Sequence, residues 1–157
     1  SIWQRYRNVL GLWMQQHLQG QALTVFGDGS QVRAFSYIDD ILPCLWRAAT
    51  EPAASRQIIN LGGTVDMPIL TAAFAARSVM GECEITHLSP RYEVHKAWST
   101  WQKSQDLLGY RQKTTLADGL KTMWAWAQDA WHRWPGRRST PESITLENRN
   151  GLPDYWK

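Results

Sequence analysis

Nothing in these 157 residues resembles a bilayer-spanning run of apolar side chains, so no membrane partner is expected. Cysteine is scarce. Cys44 and Cys83 stand alone, without C-x-x-C or metal-ligand spacing, which excludes a disulfide scaffold. With no visible secretion signal, the expectation is reduced thiols in a cytoplasmic protein. The histidines His17, His87, His95 and His132 are scattered, H-E-x-x-H is absent, and no metal site is expected. No G-x-S-x-G offers a serine nucleophile. Neither G-x-G-x-x-G nor G-x-x-G-x-x-G occurs, so the glycine turn that cradles a dinucleotide is missing. Excess charge is small, 17 basic against 14 acidic residues, too mild to imply a nucleic-acid partner. The basic run His132, Arg133, Arg137 and Arg138 reads as a solvated helix end, where cations complement the helix dipole.

What is present is aromatic bulk. Ten tryptophans imply either much aromatic burial or an aromatic surface that meets another piece of protein. A helix is expected over 8–18, with Leu10, Trp13, Met14, His17 and Leu18 on one stripe and Gly20 at its stop. His17 on that stripe reads as a packed residue. Strands are expected at 23–26 and 33–38. A helix over about 40–49 follows, with Ile41, Leu42, Leu45, Trp46 and Ala49 inward, Pro43 in its first turn and Pro52 beyond its end. Ile58, Ile59 and Leu61 make 58–61 a short strand too apolar to alternate, as in a parallel sheet covered on both faces. Further expectations are a helix over 68–80, a strand at 84–88, a loop over 89–99 and a helix over 100–108. Thr115 caps a long helix, with Asp118 three residues on and Leu120, Trp124, Ala127, Trp131 and Trp134 on one face. That face reads as packing. Pro135-Gly136 ends the helix, and 137–157 is polar and reads as a surface or mobile tail.

The segment Gly27-Asp28-Gly29-Ser30-Gln31-Val32-Arg33-Ala34-Phe35-Ser36-Tyr37-Ile38-Asp39-Asp40 joins a turn, a strand and a helix start. Its glycines permit turn angles that other residues resist. Arg33 offers a planar donor fork. Asp39 and Asp40 suit caps better than acid–base work. Around it, in order, stand Arg7-Asn8-Val9-Leu10-Gly11, Leu23-Thr24-Val25-Phe26-Gly27-Asp28-Gly29, Ile59-Asn60-Leu61-Gly62-Gly63 and Leu107-Leu108-Gly109-Tyr110. In order and spacing, from about residue 5 to about 131, these motifs resemble the C-terminal half of the extended short-chain dehydrogenase/reductases. They are most similar to the nucleotide-sugar epimerases and dehydratases of the UDP-glucose 4-epimerase type.

The resemblance implies an α/β fold: a substrate-binding region over 1–134 plus the last part of a Rossmann-like parallel sheet, with a polar tail over 135–157. It implies a parent enzyme that uses NAD, binds a nucleotide-diphosphate sugar and forms a homodimer. Arg33 would hold the diphosphate. Arg91 would do the same from the following loop, although Glu93 stands where the family's common Arg-x-Gly-Asp form has a glycine. Glu93 would contact the ribose hydroxyls or only orient Arg91. Asn8 would cap its helix or touch the ligand. Phe26 would lie against the base, and plain core is an equal alternative. For Arg33 the residue-level alternative is a surface ion pair. The family's Tyr-x-x-x-Lys pair has no counterpart. Tyr92-Glu93-Val94-His95-Lys96 fits the spacing, but it follows Pro90 in a loop and lies after motifs that the pair precedes in the family. The chain therefore reads as a fragment that supplies the diphosphate and base grip, lacks the N-terminal Rossmann half and binds no NAD alone. The alternatives are a free-standing nucleotide-binding or assembly module, and a half-enzyme completed in trans.

Overall fold

A computed structural model describes residues 2–3 and 8–137. In chain order the elements are α1 (Val9–Leu18), β1 (Leu23–Phe26), β2 (Val32–Ala34), α2 (Ile38–Thr50), β3 (Asp66–Pro68), α3 (Ile69–Met80), β4 (Ile85–Leu88), β5 (Lys96–Ala97), α4 (Gln102–Leu108) and α5 (Leu116–Arg133). Short 3₁₀ turns occupy Pro52–Ala54 and Pro135–Arg137. The class is α/β, with two small sheets. β1 pairs parallel with β4, Leu23 opposite Ile85. β2 is the centre of the other sheet, antiparallel to β3 and parallel to β5. Among the described residues no helix is long and apolar enough to cross a membrane.

The main core forms where α1 and α3 pack on β1 and α5 lies against both helices. Trp13 and Met14 of α1, Leu23 and Val25 of β1, Ala72, Ala73 and Ala76 of α3, and Leu120, Ala127 and Trp131 of α5 are buried together. The alanines of α3 bring its backbone close to α5. Trp3 stacks on Trp131 with ring centres 5.7 Å apart. His17 meets Trp124 edge-on at 5.2 Å, the packing role expected of it. A second, smaller core joins Cys44 of α2 to Ala54, Leu108 and Tyr110. The Tyr110 hydroxyl reaches into it and donates to Gly62 O at 2.7 Å, and burial pushes its pKa up.

Helices α1, α3, α4 and α5 and strands β1 and β4 lie within a residue or two of their expected positions, and Thr115 caps α5 as its hydroxyl predicts. Elsewhere the structure corrects the reading. The strand expected at 33–38 ends at Ala34, and Ile38 already opens α2. Neither Asp39 nor Asp40 is the N-cap, which is Tyr37 without a side-chain cap bond. Asp40 accepts instead from the Lys113 and Thr114 amides at 3.1 and 2.9 Å, tying α2 to the approach of α5. Pro43 therefore falls in the second turn rather than the first. Of the apolar face of α2, Ile41 packs on the smaller core but the rest is not inward. Leu42 and Leu45 are half exposed, Trp46 is 72% exposed, and only Cys44 is buried. Trp134 is likewise exposed. The expected strand at 58–61 is irregular and Ile58 is 88% exposed, because no described strand offers it a ladder. β3 and β5 are short strands that β2 recruits from segments read as a helix lead-in and a loop. Of the polar tail, residues 138–157 lie outside the described residues.

Candidate functional site

The turn after β1 sets the site. Gly29 has φ +76°, and a Cβ there would come within 2.8 Å of the Leu70 Cβ and 2.9 Å of the Val25 Cγ1. Only glycine lets the chain reverse so close to α3. Asp28 holds the turn by accepting from the Ser30 amide at 2.9 Å, and hydrogen bonding from the Ser30 side chain, then from its amide, lowers the Asp28 carboxyl pKa. The reversal lays β2 beside the open edge of β1.

That edge is finished by side chains. Leu23 and Gly27 direct their amides towards the β4 side, to Glu84 O and Leu88 O, so by alternation Thr24 and Phe26 face away from it. Gln16 of α1 accepts from the Thr24 amide at 3.1 Å and donates to its hydroxyl at 2.9 Å, while the Trp13 indole donates to Thr24 O at 2.8 Å. Gln31 Nε2 donates to Phe26 O at 3.1 Å. These groups stand where a neighbouring strand would, and beside them opens a cavity of about 650 Å³ between α1, β1, β2 and the segment after β4.

Asn8, Phe26, Arg33, Arg91 and Glu93 all line this cavity. Asn8 has φ 61°, a conformation asparagine tolerates better than most residues, and its Oδ1 accepts from the Gly11 amide at a long 3.4 Å. Arg33 projects from β2. Its Nη1 donates to Val32 O at 2.8 Å and to His95 O at 3.4 Å, and its Nη2 pairs with Glu93 Oε2 at 2.9 Å. Arg91 Nε lies 3.4 Å from Glu93 Oε1. The Arg91 guanidinium rests over the Phe26 ring, 4.1 Å from its centre, so the ring faces a cation rather than the core. Glu93, 21% exposed, thus sits between two arginines and also accepts from Gln31 Nε2 at 3.1 Å. The ion pair considered for Arg33 exists, half-buried, and involves the second candidate arginine as well. Gln31 and Gln16 were not nominated from the sequence. Nothing in their type or spacing distinguishes them from surface glutamines.

A second cavity, about 430 Å³, lies between Leu10, Phe35, Tyr37, Leu120, Met123 and Trp126. Its lining carries no charged side chain, so it suits packing rather than an anion. Tyr92 and Lys96 lie at the outer margin, both exposed, with Lys96 in β5. Among the described residues no group of three His, Cys, Asp or Glu is placed to hold a metal.

Comparison with known proteins agrees on one family. The model of the NAD dependent epimerase/dehydratase family matches residues 3–62. An uncharacterized UDP-glucose epimerase of Bacillus subtilis (strain 168), YtcB, is 32% identical over 109 residues, covering 68% of this chain and 34% of that protein. UDP-glucuronic acid decarboxylase 1 of Danio rerio is 30% identical over 150 residues, 94% of this chain and 35% of that one. Among solved structures, UDP-glucuronic acid 4-epimerase from Bacillus cereus, in complex with UDP-glucuronic acid and NAD, superposes with a TM-score of 0.71 at 28% identity. That match takes in 78% of this chain and 40% of the epimerase. The chain thus spans about a third of the length of the curated relatives it matches.

Proposed function

The chain belongs to the NAD-dependent epimerase/dehydratase family, and from that premise we propose that its 650 Å³ cavity binds the nucleoside-diphosphate part of a nucleotide sugar. One observation carries the reading: every residue nominated from the sequence lines that single cavity, with two guanidiniums aimed at one point. Arg33 and Arg91 grip the diphosphate, Arg33 as a fork already oriented by Val32 O. Phe26 at the end of β1 lies against the base, and Asn8 closes the α1 end. A UDP sugar is the substrate class, because the named relatives carry UDP sugars in their names and the Bacillus cereus epimerase is in complex with one.

The catalytic steps belong, in this reading, to a Rossmann half carrying the glycine turn and the Tyr-x-x-x-Lys pair, on the same polypeptide or in trans. NAD supplies reversible hydride transfer at the sugar when it is bound to that half. The described residues do not fit NAD. The glycine turn after β1 leads into β2, not into a helix whose N-terminal amides would meet a pyrophosphate. This chain grips the nucleotide and so positions the sugar. A cytoplasmic location, with Cys44 and Cys83 as thiols, homodimerisation of the whole enzyme, and a boundary between the binding region and the tail near residue 134 complete the proposal. A free-standing binding module is the second reading, favoured by the closed core of α1, α3 and α5.

Isothermal titration of the chain with UDP and with uridine tests the site. UDP is expected to bind and uridine to bind far more weakly, since the arginines recognise phosphate. Equal affinity for the two would remove the diphosphate assignment.

A further inference from the structure

The cations that would hold a diphosphate are already engaged. Glu93 Oε2 takes Arg33 Nη2 at 2.9 Å, and Glu93 Oε1 takes Arg91 Nε at 3.4 Å and Gln31 Nε2 at 3.1 Å. The other terminal nitrogen of Arg33 is committed to Val32 O and His95 O. An arriving phosphate therefore competes with a carboxylate for the same N–H groups. Keeping both anions on one pair of guanidiniums sets like charges a few ångströms apart in a half-buried cavity, where they repel far more than in bulk water. With the cavity empty, the same carboxylate relieves the repulsion between two guanidiniums brought to one point.

Glu93 is placed to give way. It lies between β4 and β5 in a stretch without regular secondary structure, flanked by exposed Tyr92 and Val94. Arg33, by contrast, is fixed in the central strand of its sheet. The rigid partner is the cation and the movable one is the anion.

We propose that Glu93 is a displaceable counter-ion: it closes the Arg33–Arg91 grip in the empty protein and weakens binding of every anion that cannot drive it off. This rests on reading the cavity as an anion site, but it concerns a regulation of that site which diphosphate binding alone does not require.

The probe is inorganic pyrophosphate, titrated calorimetrically into the wild-type chain, Glu93→Gln, Arg33→Ala and the double variant. Glutamine keeps the size and hydrogen bonding while removing the charge. Glu93→Gln is expected to tighten pyrophosphate binding on the order of tenfold at low salt, less at high salt. In the Arg33→Ala background the gain shrinks. The empty Glu93→Gln variant melts lower than wild type, and pyrophosphate raises its melting temperature by more than it raises that of the wild type. A Glu93→Gln chain that melts cooperatively yet binds pyrophosphate no tighter than wild type overturns the proposal, as does failure of both to bind. UDP separates the two readings. UDP bound by both chains, with no gain for pyrophosphate, removes the counter-ion and leaves the nucleotide site. A tenfold pyrophosphate gain without any preference for UDP keeps the counter-ion and removes the nucleotide.

Discussion

At the scale of single residues, Arg33 has the most to lose. Its fork is braced by Val32 O and His95 O, so its second arm points into the cavity at little further entropic expense. Arg33→Ala is expected to weaken UDP binding by about 2–5 kcal/mol, the range for truncating one partner of a hydrogen-bonded charge pair. Arg33→Lys recovers only part of this, because a point charge cannot satisfy the backbone carbonyls and a phosphate together. Titration of the three chains with UDP checks it, and equal affinities would remove Arg33 from the grip. The nominated residues could be read from the sequence because each lies in a short motif in register with the others. Gln31 could not. Its bond to Phe26 O spans the Gly27–Gly29 turn, but its bond to Glu93 reaches across 62 residues, and the pairing of β5 with β2 brings that segment alongside. Gly63 makes the opposite case. It was legible as part of Asn60-Leu61-Gly62-Gly63, but its reason is tertiary: a Cβ there would collide with the backbone of Phe35, its nitrogen 2.8 Å away. Gly63→Ala is expected to destabilise the chain more than Gly136→Ala, where the added Cβ would meet no atom within 4 Å. Chemical denaturation of both variants measures the difference.

At the scale of elements, α5 was the most legible, since its face repeats over five turns and both ends carry local signals. The Thr115 hydroxyl accepts from the Asp118 amide at 3.1 Å and donates to the Asp118 carboxylate at 2.7 Å. Thr115→Ala should lower stability by about 0.5–2 kcal/mol, measured by urea denaturation. The Thr115 bond, helped by Lys121, holds the Asp118 pKa below its ordinary value. A depressed carboxylate stabilises the fold above its unfolded pKa, and that contribution is lost as pH falls through the folded one. The melting temperature should therefore fall on acidification below about pH 4, and Asp118→Asn should remove part of that fall. An Asp118→Asn chain with unaltered acid sensitivity would show that the cap carries none of it. β3 and β5 were not legible because two or three residues carry no period, and their pairing is decided by β2. The start of α2 was missed for a different reason. Phe35, Tyr37 and Ile38 have strand propensity, but Asp40 is drawn to the Lys113 and Thr114 amides, and tertiary bonding overrides propensity.

For the molecule as a whole, the misread face of α2 and the missing strand at 58–61 are one fact. Both readings expected apolar residues to be buried, and much of each set is exposed: Leu42, Leu45, Trp46 and Ala49 on α2, with Ile38 ahead of them and Ile58 beyond, while Ile41, Ile59 and Leu61 pack on the smaller core. The local pattern is right for burial, and the described residues supply no covering layer. Beneath them, α2 is anchored through the small core of Cys44, Ala54, Leu108 and Tyr110 and through the Asp40 and Arg47 hydrogen bonds. Exposed apolar side chains clustered on one helix face drive association when they form a patch. The irregular 58–61 segment adds backbone that no described strand pairs in a ladder and that another chain can join. The chain alone is therefore expected to self-associate and to bind ANS. A double change on this face, Leu42→Lys with Trp46→Lys, should shift it towards monomer while leaving UDP binding intact, because neither residue lines the diphosphate cavity. A covering Rossmann half should abolish ANS binding without any substitution. Size-exclusion chromatography with ANS fluorescence reads both. A sharp monomer peak for the unmodified chain, with no ANS signal and a cooperative melt, would mean that this surface needs no partner, and would favour the free-standing module over the half-enzyme.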